Sequence, residues 1–95
     1  MKVGGIYTTN SGYIDIIVKI TNEKIYTYYI NDVSNTNQMV EKKLKSMLQQ
    51  NISHFSYVNK KFNLDKYNGY LGKISEESFK LLLNNLNNLQ KEKEF

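Results

Sequence analysis

Ile14, Ile16, Val18 and Ile20 alternate with Tyr13, Asp15, Ile17 and Lys19 along YIDIIVKI, the two-residue period of a strand with one buried face. TNEK follows, and a two-residue loop at Asn22 and Glu23 sets Thr21 opposite Lys24 and returns the chain through KIYTYYIND. That register pairs Ile20 with Ile25, Val18 with Thr27 and Ile16 with Tyr29 on one aliphatic face. It pairs Lys19 with Tyr26, Ile17 with Tyr28 and Asp15 with Ile30 on the other. Tyr26 and Tyr28 are therefore expected on the second face and Tyr29 in the core. Upstream, VGGIYTT and the NSG turn add an earlier strand, so a three-stranded antiparallel meander is expected from about Val3 to Asn31.

After NDVSN the period lengthens. Val40, Leu44, Met47, Leu48 and Asn51 fall on one helical face, which predicts a helix from about Thr36 to Gln50, with Asn35 and Gln38 as its capping pair and Glu41 set to pair with Lys45. ISHFSYVN returns to period two, with Phe55 and Tyr57 on one side and Ile52, His54 and Val58 on the other, and predicts a fourth strand. KKFNLDKYNGYLGK is rich in turn residues. Its Asn68-Gly69 pair is a hairpin signal for a short fifth strand or a loop, and GYLGK reads as a turn into the last helix. From Ser75 a serine cap, Glu76 and Glu77 at the positive end of the dipole, and Phe79, Leu82, Leu83, Leu86 and Leu89 on one face predict a second amphipathic helix. The fold class expected is α+β: a meander plus one or two further strands in an antiparallel sheet, packed with two amphipathic helices, either open or as an SH3-like partly closed barrel. Residues 1–95 are expected to form one domain.

Composition narrows the function classes. The chain has no cysteine and a single histidine, so no disulfide framework or thiolate zinc site is available, and no cofactor or structural metal is expected. The first twenty residues are interrupted by Gly4, Gly5, Asn10, Asp15 and Lys19, which leaves no apolar block for a signal peptide or membrane span. A cytoplasmic protein with no membrane partner is the expectation. Proline, tryptophan and arginine are absent while asparagine, isoleucine and tyrosine abound, a bias that AT-rich coding produces without selection for aromatic function. The net charge of +4 is concentrated centrally: Lys42, Lys43, Lys45, Lys60, Lys61, Lys66 and Lys73 face only Glu41 and Asp65 between Thr36 and Ile74. A solvated face accounts for such a run more often than a phosphate track does.

Catalytic chemistry finds no footing. His54 lies mid-strand with its serine neighbours sent to the opposite face, and the Glu76-Glu77 pair serves as helix-start charge. GYLGK lacks the spacing of a P-loop, and bulky Tyr70 and Leu71 do not suit a GxxG clamp. No enzymatic activity is expected. The tyrosines of KIYTYYIND then have three readings: cross-strand packing, a protein-binding surface, or a platform for unpaired bases.

The opening VGGIYTTNSGYIDIIVKITNEKIYTYYIND, with Gly5, Ile6, Tyr7, the NSG turn and the alternating strand, resembles SH3-like or Tudor-like barrel openings of small proteins from bacteriophages and mobile elements of low-GC bacteria. The likeness covers about the first third, and the two helices depart from a minimal barrel. Small size and the lack of catalytic residues are also similar to phage-encoded inhibitors of host machinery, anti-CRISPR proteins among them. That resemblance implies binding and occlusion of a host protein or complex, without the acidic surface of a DNA mimic. A ribonuclease toxin is disfavoured by the missing arginine and the unpartnered histidine. The leading expectation is thus a non-enzymatic host-protein binder using Tyr26, Tyr28, Lys19 and Ile17. The alternative is a single-stranded nucleic-acid binder using Tyr26 and Tyr28 with Lys60 and Lys61.

Overall fold

In a computed structural model, which describes residues 1–31, 36–61 and 64–93, the meander forms from β1 (Gly5–Thr9), β2 (Ile14–Ile20) and β3 (Lys24–Ile30). Helix α1 (Asn37–Gln49) leads to β4 (Phe55–Asn59), a single 3-10 turn at Leu64–Lys66 leads to β5 (Tyr67–Lys73), and α2 (Glu76–Lys93) follows. All strand pairs are antiparallel, in the order β4-β3-β2-β1-β5. The α+β class therefore holds. β4 and β5 are the two outer strands, so the sheet is open and its curl does not become a closed barrel.

The hairpin between β2 and β3 begins as expected and then departs. Thr21 N–H donates to Lys24 O at 2.9 Å across the Asn22-Glu23 loop, and Ile20 faces Ile25 and Lys19 faces Tyr26. A bulge at Val18 then places Ile17 opposite Thr27, Ile16 opposite Tyr28, Asp15 opposite Tyr29 and Ile14 opposite Ile30. The assignment of Tyr28 to the second face and Tyr29 to the core is thereby corrected. With the bulge, β3 turns Tyr26, Tyr28 and Ile30 towards the helices; without it, that side would carry Ile25, Thr27 and Tyr29. The bulged register keeps the Thr27 hydroxyl out of the main core, and the Tyr28 hydroxyl escapes an unpaired burial by donating to Ile52 O at 2.6 Å.

Ile6, Ile16, Tyr28 and Phe55 stand side by side across β1, β2, β3 and β4 and form the floor of the core. Val40, Leu44, Met47 and Leu48 of α1 and Leu82 of α2 close over it, with Phe79, Leu83 and Leu86 at the rim. Each of these aliphatic side chains contributes roughly 1.5–3 kcal/mol on full burial. The α1 stripe is the expected one, but its cap is Thr36, whose side chain accepts from Met39 N–H; the expected cap Asn35 lies outside the described residues. The helix ends with Asn51 in the left-handed region at φ 59°, Asn51 N–H bonding to Leu48 O and Ile52 N–H to Met47 O.

Two further expectations are corrected. Of the outcomes expected at Asn68 and Gly69, the fifth strand is present as β5, but the two residues lie within it and make no hairpin, and GYLGK continues the strand where a turn was expected. β5 can close on β1 because a Cβ on Gly69 would come within 2.7 Å of Thr8 Oγ1, a contact only glycine avoids. Glu41 forms no ion pair with Lys45, which instead reaches Glu77 at 3.8 Å. The Glu41 carboxylate accepts from Ser75 N–H and Ser78 Oγ, both at 2.8 Å, and so joins α1 to the start of α2.

Candidate binding surfaces

The edge of the sheet at the β2–β3 turn gathers residues from three parts of the chain. Tyr26 of β3 faces Tyr57 of β4, their ring centroids 6.0 Å apart. The Lys24 ammonium lies 4.3 Å from the Tyr57 ring and the Lys19 ammonium 5.8 Å from the Tyr26 ring, both within cation–π range. Lys60 N–H donates to Glu23 O at 2.8 Å, which brings the exposed Lys60-Lys61 pair to the same end of the sheet. Tyr57 is the most exposed tyrosine of this cluster, at 58 %.

Of the expected site, only Tyr26 and Lys19 remain together at this edge. Tyr28 has no exposed surface: it packs edge-to-face on Phe55 at 5.0 Å, and burial pushes its phenol up to about 12 against the lowering effect of a hydrogen bond from the His54 backbone. Ile17 is equally buried, on the opposite face from Tyr28. Neither can touch a partner, so both leave the expected host-protein site, and Tyr28 leaves the nucleic-acid set. Lys60 and Lys61 follow β4 at the end of the sheet where Lys24 and Glu23 turn, further along the strand than the Tyr26–Tyr57 pair. Lys24 and Tyr57 complete the cluster. The sequence puts Lys24 beside the β2–β3 turn and Tyr57 on the same side of the predicted fourth strand as Phe55, but the strand that pairs with β4 could not be read from spacing alone.

The second face of the sheet, away from both helices, holds a different arrangement. Asp15 is 1 % exposed, and its Oδ2 accepts from the Tyr67 hydroxyl at 2.9 Å and lies 3.0 Å from the Lys66 ammonium. Burial, then the Asp15 charge and hydrogen bond, raise the Tyr67 phenol above its ordinary range. Around Asp15 opens a pocket of about 350 Å³ lined by Ser11, Tyr13, Thr27, Tyr29, Ser56 and Lys66. The Tyr13 and Tyr29 rings meet at 84° with centroids 6.1 Å apart, and Tyr29 is backed by His54, stacked at 4.6 Å and 8°. His54 thus serves as a packing partner, its Nδ1 3.3 Å from Tyr29 O.

Among the described residues no three histidine, aspartate or glutamate side chains converge as a metal site, and no helix is long and apolar enough to cross a membrane. No protein-family model, curated protein or solved structure matches the chain.

Proposed function

We propose that this chain is a non-catalytic binding protein that holds single-stranded nucleic acid along the β4 edge of its sheet. The observation that carries the reading is the Tyr57 ring: exposed, 4.3 Å from the Lys24 ammonium, beside Tyr26, and on the strand that Lys60 and Lys61 follow. Exposed aromatic rings give bases a sequence-tolerant stacking surface, and neighbouring ammonium groups follow the phosphates. Glu23 is the one acidic side chain that the described contacts place at this end. The folding of β4 beside β3 supports the reading, because it brings lysines distant in the chain to the end of the sheet that carries the tyrosines.

Fluorescence anisotropy of labelled single-stranded RNA, single-stranded DNA and duplex DNA tests this at low and physiological salt. Single strands should bind in preference to duplex, and Tyr57→Ala should weaken them about 5- to 150-fold, equivalent to about 1–3 kcal/mol for one lost stacking contact. Affinity for single strands that Tyr57→Ala leaves unchanged would sink the proposal.

A second reading, capture and blocking of a host protein, draws on one specific feature. β4 is an outer strand, and a partner strand can extend the sheet there, with Tyr57 as its side-chain anchor. A host protein retained from lysate at physiological salt by the wild type and lost by Tyr57→Ala, with no oligonucleotide bound, would favour that reading.

A further inference from the structure

The Asp15 pocket has hydrogen-bonding capacity that the fold itself does not use. Both contacts to the carboxylate fall on Oδ2, and Oδ1 has no hydrogen-bond partner among the described residues. Thr27, 1 % exposed, lines the same pocket, and its hydroxyl is likewise without a partner among them. Because no buried side-chain polar atom among the described residues lacks a partner, both atoms keep a small contact with solvent, and two side chains more than nine-tenths buried thus present hydrogen-bonding atoms that a ligand can reach from the pocket. The pocket's walls are the perpendicular rings of Tyr13 and Tyr29. A flat ligand lying on one ring meets the other at right angles.

Charge selects the ligand. The Lys66 ammonium already neutralises the carboxylate at 3.0 Å, so an incoming guanidinium or ammonium would meet a like charge, whereas a neutral N–H donor would not. The Lys66 side chain is about one-third exposed and can face an anion beyond the pocket mouth. A planar neutral ring carrying an N–H donor, attached to a phosphate, satisfies every one of these groups. We propose that this pocket is a nucleobase site that favours bases with an exocyclic amine: the amine donates to Asp15 Oδ1, an adjacent ring nitrogen or carbonyl pairs with the Thr27 hydroxyl, the ring stacks at the Tyr13–Tyr29 corner, and the phosphate meets Lys66. Adenine, cytosine and guanine carry such an amine; uracil and thymine offer only a ring N–H between two carbonyls, whose oxygens would be brought against the Asp15 carboxylate. A volume of about 350 Å³ lies in the range of small-ligand sites.

This inference borrows its class of ligand from the nucleic-acid reading but concerns a separate face, so the two can fail independently. Uniformly ¹⁵N-labelled protein titrated with CMP, AMP, GMP and UMP should show amide shifts at Thr27, Tyr29 and Ser56, with UMP at least tenfold weaker than CMP. Thr27→Val, which keeps the β-branched shape, and Tyr13→Ala, on a ring already 38 % exposed, should each weaken CMP binding about tenfold or more while leaving the amide spectrum folded. Silence at these amides, equal response to UMP, or indifference to both substitutions would overturn the pocket. Oligonucleotide binding that still depends on Tyr57 would then leave the edge proposal standing. Pocket shifts without Tyr57-dependent oligonucleotide binding would do the reverse.

Discussion

Tyr28 shows how one side chain can carry a test of the register. Its hydroxyl donates to Ile52 O at 2.6 Å, and its phenol is raised from 10.0 to about 12, chiefly by burial. A phenol whose folded pKa lies above its unfolded value contributes stability that is whole below pH 10 and is lost as the pH climbs towards 12. The contribution lost amounts to about 2–3 kcal/mol at the top of that window. Tyr28→Phe removes the hydrogen bond, at a cost of about 1 kcal/mol at pH 7, and also removes the titration. Urea denaturation midpoints of the two proteins should therefore converge and cross between pH 10 and 12; parallel curves would place Tyr28 on an open face. This residue was misassigned from the sequence for a physical reason. Ile16, Ile17 and Val18 are all apolar, so the hydrophobic pattern of β2 does not reveal which of them a bulge leaves unpaired, and one extra residue exchanges the faces of β3.

Elements that rest on local signals were legible, and those that rest on a distant partner were not. The α1 stripe and the Ser75 start of α2 needed only periodicity and a cap, and both stand in the structure. β5 needed β1: its Asn68-Gly69 pair imitates a turn until Thr8 is seen packed against Gly69. The junction of the two helices was equally hidden. Although partial burial pushes the Glu41 carboxyl up, its hydrogen bonds from Ser75 and Ser78, with the nearby Lys45 charge, outweigh that and hold it below the ordinary carboxylate range. A lowered carboxyl pKa contributes stability that is present above the unfolded value and lost as the pH falls through the folded one. Glu41→Gln should cost about 1 kcal/mol at pH 7, with the difference shrinking in acid, as read by thermal melts across the acid limb. Gly72 offers a second test. Its φ of 109° strains any L side chain, and a Cβ there would meet Asn37 Nδ2 at 2.7 Å, where Asn37 donates to Lys73 O. Gly72→Ala should cost about 1–3 kcal/mol and loosen the start of α1, visible as faster amide exchange at Val40.

Across the whole molecule, the open sheet gives one face to the helices and leaves a second face and an edge, and the sequence could not say which residues meet there. Lys60 and Lys61 lie more than thirty positions from Tyr26, and only the placement of β4 beside β3 joins them. The Asp15 pocket is assembled the same way, from the β1–β2 connection, β2, β3, β4 and the turn before β5. Charge gathered by folding has a measurable signature. If Lys19, Lys24, Lys60 and Lys61 each neutralise one phosphate of a bound single strand, log K should fall against log salt with a slope of about −2.8, at roughly −0.7 per contact. Replacing Lys60 and Lys61 together by glutamine should halve that slope to about −1.4, whereas Tyr57→Ala should lower affinity at every salt concentration and leave the slope unchanged. A Lys60–Lys61 double variant with the full slope would show that these lysines do not meet the phosphates. The undiminished salt dependence would then have to come from other cations, and the phosphate track would not follow the end of β4.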